Sequence, residues 1–379
     1  MKSDRASVGS HSNGGVPLSS KRDFDYLIFI GRFQPLHVGH QYVIDKALEL
    51  ADRVIVLVGS ATTARSPRNP FTFGERKEMI EQTFRSVSFI NDRLHVTPIS
   101  DTSQDNRWME QVQRQVYNVL ERDLDVKLHG LGDRRIGLIG YAKDNSSYYL
   151  RMFPQWESVD VQPEGGPFNA TDIRNSYFTS LPDIPARWLS TATVSFLDRF
   201  VRTPEFKDIL KDASYIAAYH KSWDGAPFPP TFVTVDNVCV QSGHVLLVKR
   251  GDHPGKGLWA LPGGFINIDE PLKASAIREL REETLISDHL GRIPPAKLEG
   301  FIQEDRTKVY DDPNRSARGR TITHAFYYEF PDAKPMFTVE GADDAAAAAW
   351  VPFGELVQET MFEDHYLILE DMLNLKGAF

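Results

Sequence analysis

Residues 25–61 hold two apolar runs, DYLIFI (Asp25–Ile30) and RVIVLVGSA (Arg53–Ala61), around one amphipathic stretch. Runs of β-formers without polar alternation are expected of strands buried on both faces, the situation of a parallel sheet. Between them, GHQYVIDKALELA places Val43, Ala47 and Leu50 on one helical face. Strand, helix and strand at this spacing make a βαβ unit that crosses over right-handed. The first half is therefore expected to be α/β, and RIGLIGYA (Arg135–Ala142) continues its pattern.

A chain of 379 residues is too long for one ordinary core, so two domains are expected. Residues 1–23 are polar and rich in Ser and Gly and read as a disordered tail without a signal-peptide apolar region. The first domain is assigned to 24–202, a connector of mixed helix and then a Pro- and Gly-heavy stretch, SWDGAPFPP, to 203–227, and a second domain to 228–379. In the second, TFVTVDNVCVQSGHVLLVKRG reads as two strands around a Ser-Gly turn, and LWALPGGFINIDEPLKASAIRELREETL as a loop and a helix. RTITHAFYYEF is a later strand and DHYLILEDMLNL a closing helix; no internal repeat is present.

The net charge of −9 argues against general affinity for nucleic acid, which rests on phosphate neutralisation. No apolar run reaches the roughly 20 residues of a membrane span, so no membrane partner is expected. The single cysteine, Cys239, excludes an intramolecular disulfide, fits a reducing cytoplasm, and lies in an apolar run where packing is its expected role. Homo-oligomers are left open.

GRFQPLHVGH (Gly31–His40) follows the first strand, where open α/β sheets bind ligands. A helix starting near Val38 aims free N–H groups and its positive dipole end at this loop, which suits a phosphate. His37 and His40, three apart, can point the same way and donate to phosphoryl oxygens. Gly31 and Gly39 permit close approach, and Gly31, Arg32 and Phe33 are candidate substrate contacts. Further on, NATDIR (Asn169–Arg174) offers Thr171 as an N-cap with Arg174 on the same side of the first turn, able to clamp phosphates. Alone, each of these features also suits an ordinary helix start.

The ten-residue string resembles the nucleotidylyltransferase signature, in its nicotinamide mononucleotide (NMN) adenylyltransferase branch. The resemblance implies a Rossmann-like domain in which His37 and His40 bind the phosphates of ATP. NATDIR resembles the second motif of the family, with Ala170 in place of the usual Ser. GSATTARSPRNPFTFGERKEMI (Gly59–Ile80) resembles the archaeal-type branch, and SDTSQDNRWMEQV (Ser100–Val112) lies where that branch carries its nicotinamide contacts. Trp108 is a candidate for stacking on the pyridinium and equally a core aromatic, and Asn106 is a candidate for the amide. GYAKDNSSYYLRMFPQW (Gly140–Trp156) also resembles this group, with Lys143 and Asp144 as weak candidates more in keeping with a structural place. The implied reaction joins NMN to the α-phosphorus of ATP, giving NAD and pyrophosphate.

In GFINIDEPLKASAIRELREETLI (Gly264–Ile286), Glu279, Glu282 and Glu283 fall on one side of one helix, where like charges repel. Hard oxygens in that arrangement suit Mg2+, with Mn2+ as the alternative, and Arg278 can pair with Glu282. A solvated charged helix is the plainer explanation, but the spacing of Gly264, Glu270 and Arg278-Glu279-Leu280-x-Glu282-Glu283 resembles the Nudix hydrolase box. Leu285 replaces its usual glycine, which puts the local turn in question. The resemblance implies an α/β/α sandwich with a mixed sheet. It makes Glu279, Glu282 and Glu283 the metal and base residues, the Gly263 carbonyl a further ligand, and Glu270 an accessory group. The lead-in from Trp259 and DDPNRSARGRTITHAFY (Asp311–Tyr327) resemble the ADP-ribose branch, with Arg315, Arg318 and Arg320 as candidate diphosphate contacts or, individually, members of a solvated basic loop.

The order of the two halves resembles the bifunctional NMN adenylyltransferase/Nudix hydrolases of bacteria. That implies ATP, NMN, NAD and ADP-ribose as the small-molecule partners, NAD synthesis in the first half, and hydrolysis of ADP-ribose to AMP and ribose 5-phosphate in the second. A flavin or pantetheine phosphate as acceptor, a non-catalytic ADP-ribose or NAD sensor in the second half, and another nucleoside diphosphate derivative as its substrate are the alternatives. A class I tRNA synthetase lacks its second signature here, and a transcription regulator lacks a basic helix-turn-helix.

Overall fold

The computed structural model describes residues 22–87, 92–123, 126–127, 132, 134–141, 150–162 and 169–375. Its first sheet is built from β1 (Phe24–Gly31), β2 (Ala51–Val58), β3 (Leu94–Pro98), β4 (Ile136–Gly140) and β5 (Glu157–Asp160), all parallel, in the order β3-β2-β1-β4-β5. Alternation along β1 decides which residues face which layer. Leu27 and Phe29 join the core under α1 (Val38–Leu50) and α2 (Phe73–Thr83), while Tyr26, Ile28 and Ile30 meet Val112, Val116 and Leu120 of α3 (Asp105–Leu120). α1 buries Val43, Ile44 and Ala47, so its apolar face is that of the expected helix.

Three helices complete this half: α4 (Ala170–Tyr177), α5 (Thr191–Phe200) and α6 (Pro204–Lys221). α6 occupies most of the stretch expected as a connector. Phe206 and Ile209 pack into the first core, because Thr203 caps the helix and Pro204 at its start presets the first turn.

The second sheet has seven strands. β6 (Thr231–Gln241) and β7 (His244–Arg250) form a hairpin whose two-residue loop is Ser242 at φ 47° and Gly243 at φ 73°. Both loop residues need positive φ, which matches the twist of the flanking strands. β8 (Trp259–Ala260) pairs with β7, and β9 (Gly263–Phe265) with β6. After α7 (Leu272–Thr284), the short pair β10 (Ser287–Asp288) and β11 (Gly291–Arg292) and the short helix α8 (Pro295–Glu299) lead to β12 (Lys308–Tyr310), β13 (Arg320–Glu329) and β14 (Ala345–Pro352). The order is β12-β13-β6-β7-β14, with β13 parallel to β6 and the other pairs antiparallel, so the sheet is mixed. Val235 and Cys239 face α7, whereas Val238 faces the closing helix α9 (His365–Leu373), giving three layers. Cys239 is buried, as expected.

The halves meet along a polar seam. Thr62 Oγ1 donates to Gln358 Oε1 at 2.6 Å, Arg68 Nη1 to the Asn314 carbonyl at 2.7 Å, and the Ser103 N–H to Glu370 Oε2 at 2.6 Å. Asp212 on α6 accepts the Gly255 N–H at 3.1 Å and faces His253 Nδ1. Among the described residues no helix is long and apolar enough to cross a membrane.

Two candidate active sites

At the carboxyl edge of β1 the chain turns through Gly31–Leu36 into α1. A Cβ on Gly31 would stand 2.9 Å from the Phe33 ring, so glycine is what lets that ring fold back beneath the loop. Phe33 itself sits at φ 53° and is buried. His37 is the N-cap of α1. Its Nδ1 accepts the Gly39 N–H at 3.2 Å, while His40 Nδ1 accepts the His37 N–H at 3.4 Å. The two rings stack at 3.7 Å. Capping and ligand binding are thus not alternatives. An imidazole that accepts at Nδ1 carries its proton at Nε2 when neutral. The cap therefore selects the tautomer with its donor at the outer edge of each ring. Burial, His37 and Arg32 hold His40 well below the usual histidine range, so it is neutral at physiological pH.

Arg174 is buried. Nη1 donates to the Gln34 carbonyl at 2.8 Å and Nη2 to Thr171 Oγ1 at 3.1 Å. The expectation for Thr171 is corrected. Asn169, in extended conformation, is the N-cap and accepts the Asp172 N–H at 3.0 Å, which leaves the Thr171 hydroxyl to orient Arg174. Burial, Arg32 and Arg68 push Arg174 down to about 10. Arg32 is lowered in turn by burial and Arg68. Two buried guanidiniums, Arg32 and Arg174, whose charge is disfavoured with Arg68 close by are what an anion would relieve. Arg68 lies in SPRNPFTFGER, and only the fold brings it to Arg32.

Asn106 is exposed on the first turn of α3, and Trp108 is half-buried with its ring 5.9 Å from that of Phe153. Asp101, Thr102 and Ser103, just ahead of them, line a cleft of about 780 Å³ between the halves together with Arg32 and Arg68; Asn106 and Trp108 are not among its lining residues. Lys143 and Asp144 lie outside the described residues.

The second site centres on α7. Glu279 and Glu283 line one cavity of about 710 Å³ with Gly263, Asp344, Arg315 and Arg318. Glu283 is buried and accepts the Gly263 N–H at 2.8 Å; burial and Asp344 hold it well above the usual carboxylate range. Glu279 is raised by burial, with Glu282 and Asp344 adding to it against the opposing Arg278. Glu282 does not join them. It is exposed and pairs with Arg278 at 3.0 Å. At about 100° per residue, positions 282 and 283 diverge by a quarter turn, with 279 between them. Asp344 lines the cavity with Glu279 and Glu283. The sequence signal for it was the pair Asp343-Asp344 before an alanine run, which only the β14–β7 pairing carries to α7.

Arg278 binds Glu270 at 2.7 Å and Glu279 at 2.9 Å. With Ser275 it pulls Glu270 down to about 2. Among the described residues no three acids or imidazoles are drawn together as a ready cation shell. The donor set nevertheless fits a divalent ion in kind. Crowded, partly desolvated carboxylates whose charge is disfavoured are hard-oxygen ligands that such an ion would relieve. Arg315 is tied to Asp364 by two bonds of 2.9 Å, Arg318 lies 5.0 Å over the Phe265 ring, and Arg320 turns to Asp311. The turn after α7 is kept without glycine: Leu285 itself adopts φ 43° in the left-handed region.

A Cβ on Gly264 would stand 2.8 Å from Glu279 Oε1, so this glycine lets the carboxylate lie on the backbone of β9. Gly264→Ala is expected to displace Glu279 and cut turnover at this site about tenfold or more, with thermal unfolding little changed. Wild-type turnover by the alanine variant would remove Glu279 from the working set.

Both halves resemble known proteins. Residues 28–128 match the cytidylyltransferase-like family model, and residues 228–372 the NUDIX domain model. The chain is 36% identical over 186 residues to the nicotinamide/nicotinic acid mononucleotide adenylyltransferase of Acinetobacter baylyi, covering 49% of this chain and 92% of that protein. It is 31% identical over 146 residues to the ADP-ribose pyrophosphatase of Methanocaldococcus jannaschii, covering 38% of this chain and 75% of that protein. A bifunctional NMN adenylyltransferase/ADP ribose pyrophosphatase from Francisella tularensis, solved with AMP and a Mn ion, superposes with a TM-score of 0.82 at 34% identity. That match covers 93% of this chain and 99% of the Francisella chain. Likeness over both halves of one chain places the protein in the family of bifunctional NMN adenylyltransferase/ADP-ribose pyrophosphatases.

Proposed function

We infer that the chain carries out two reactions of nicotinamide nucleotide metabolism. The half proposed to span 24–202 transfers AMP from ATP to NMN, giving NAD and pyrophosphate. The half proposed to span 228–379 hydrolyses ADP-ribose to AMP and ribose 5-phosphate. The observation that carries the reading is the pairing, in one chain, of a guanidinium and imidazole cradle at the edge of a parallel sheet with an acidic cavity on α7.

In the first reaction the Nε2–H edges of His37 and His40 donate to phosphate oxygens, and Arg174 and Arg32 neutralise the departing pyrophosphate. No covalent enzyme intermediate is needed, because positioning and charge stabilisation suffice for phosphoryl-type transfer. Thr171 keeps Arg174 aimed, Gly31 and Phe33 shape the loop, and the segment carrying Asn106 and Trp108 faces the nicotinamide nucleotide.

In the second, Glu279, Glu283 and the Gly263 carbonyl would hold Mg2+, or Mn2+ in its place, with Glu282 leaving Arg278 to join them. The bound ion supplies polarisation of the diphosphate and activation of water. One of these carboxylates would take the proton of the attacking water, and Arg315 and Arg318 bound the cavity for an anionic substrate. The enzyme is proposed to work in the cytoplasm on small nucleotides, without nucleic acid or membrane partners.

The test incubates purified protein with ADP-ribose and Mg2+ and quantifies AMP beside Glu282→Gln. Because Glu282 is exposed, a structural role predicts no change, whereas a ligand role predicts about a 100-fold loss with the fold retained. Binding of ADP-ribose without AMP release in the wild type would make this half a sensor instead.

A further inference from the structure

The start of α3 is held from outside its own half. Gln104, its N-cap, makes no side-chain cap bond. The carboxylate of Glu370, on α9 of the second half and only 2% exposed, accepts the Ser103 N–H at 2.6 Å, one residue ahead of that N-cap. A carboxylate there also lies at the positive end of the α3 dipole. Arg107, one turn along α3, lies 3.6 Å from Glu370 and donates to the Leu375 carbonyl at 2.6 Å and to Asn374 Oδ1 at 2.9 Å. The segment secured in this way, Asp101–Ser103, lines the cleft shared with Arg32 and Arg68, and α3 carries Asn106 and Trp108 directly after it.

We propose that Glu370 is a positioning residue for the adenylyltransferase reaction: the second half supplies, through its last helix, the anchor that sets the acceptor-nucleotide wall of the first site. Glu370 touches no reacting atom; it acts through Ser103 and Arg107. This rests on the reading that residues 101–108 face the nicotinamide nucleotide. It gives the seam a catalytic consequence, since reaction between two bound nucleotides is sensitive to sub-ångström placement of either one.

The experiment measures steady-state NAD formation with NMN and ATP varied separately, together with ADP-ribose hydrolysis, for full-length Glu370→Ala, Glu370→Gln and Arg107→Gln. Glu370→Ala is expected to raise KM for NMN roughly tenfold, with KM for ATP and the hydrolase rate within about twofold of wild type. Glu370→Gln keeps an acceptor for Ser103 and is expected to recover most of that loss. Equal change in both KM values, or no change in either, overturns the proposal. If Glu370→Ala also loses hydrolase activity through misfolding, Arg107→Gln decides, because it leaves α9 intact. A selective rise in KM for NMN upholds the anchor, and its absence overturns it. Asn106→Ala separates the underlying reading. If it raises KM for NMN while the Glu370 variants do not, the anchor fails and the nicotinamide assignment stands. If neither moves, both fail.

Discussion

Asparagine in place of His40 is expected to slow NAD formation by about 10³-fold, with thermal unfolding unchanged. The substitution separates the two duties of the imidazole. Asn Oδ1 falls near the position of Nδ1 and can keep accepting the His37 N–H, which His40 now does at 3.4 Å. What it removes is the outer-edge donor, the group assigned to a phosphate oxygen. Loss of one preorganised donor to developing negative charge costs about 10²–10³ in kcat, and the larger value is expected where His37 stacks on the same ring at 3.7 Å and shares the site. Glutamine, whose amide reaches toward Nε2, is expected to retain more activity than asparagine. If His40→Asn instead lowers the unfolding temperature and leaves turnover intact, the ring is only a cap.

Arg76→Met is expected to destabilise the first half by about 3–5 kcal/mol, visible as an unfolding transition lowered by roughly 10 °C. Arg76 is 1% exposed and commits four of its five N–H donors. It bonds the carbonyls of Arg32 at 2.8 Å, Gly59 at 2.6 Å, Ser60 at 3.0 Å and Thr72 at 3.2 Å. These carbonyls lie just past β1, just past β2 and at the cap of α2, so one side chain ties three chain segments at the rim of the site. Burial pushes its guanidinium down to about 10, which still leaves it charged at neutral pH. Methionine fills similar space but leaves buried carbonyls unpaired, and each such loss is costly. NAD formation should fall with it, because Arg32 and Ser60 line the cleft. A shift below about 2 °C would mean that water replaces the guanidinium freely.

The bond from Arg76 shows where sequence reading stops. Arg76 lies in the motif-bearing stretch Gly59–Ile80, yet an arginine on a helix gives no sign that it will be buried against four carbonyls. The same holds for Thr171. A threonine near a helix start is a good N-cap candidate, but Asn169, two residues earlier, was already able to take the free N–H. The i, i+3, i+4 carboxylates on α7 were legible as a set, but the arc they span was not. Glu279 and Glu283 reach one cavity and Glu282 reaches solvent.

From the residue order alone came the parallel sheet, the hairpin at Ser242-Gly243 and the loop after the first strand where a phosphate is expected; the mixed sheet was implied by the resemblance of the second half. Each of these depends on local periodicity, turn chemistry or a short motif, and such information lies within a few turns of chain. The tertiary structure alone decided the membership of Arg68, Arg76 and Asp344 in their sites, the incorporation of α6 into the first core, and the hold of Glu370 on α3. Those contacts join residues far apart in sequence. Their energies depend on burial, which sets both the cost of an unpaired charge and the value of its partner, and burial exists only once both halves have folded and met.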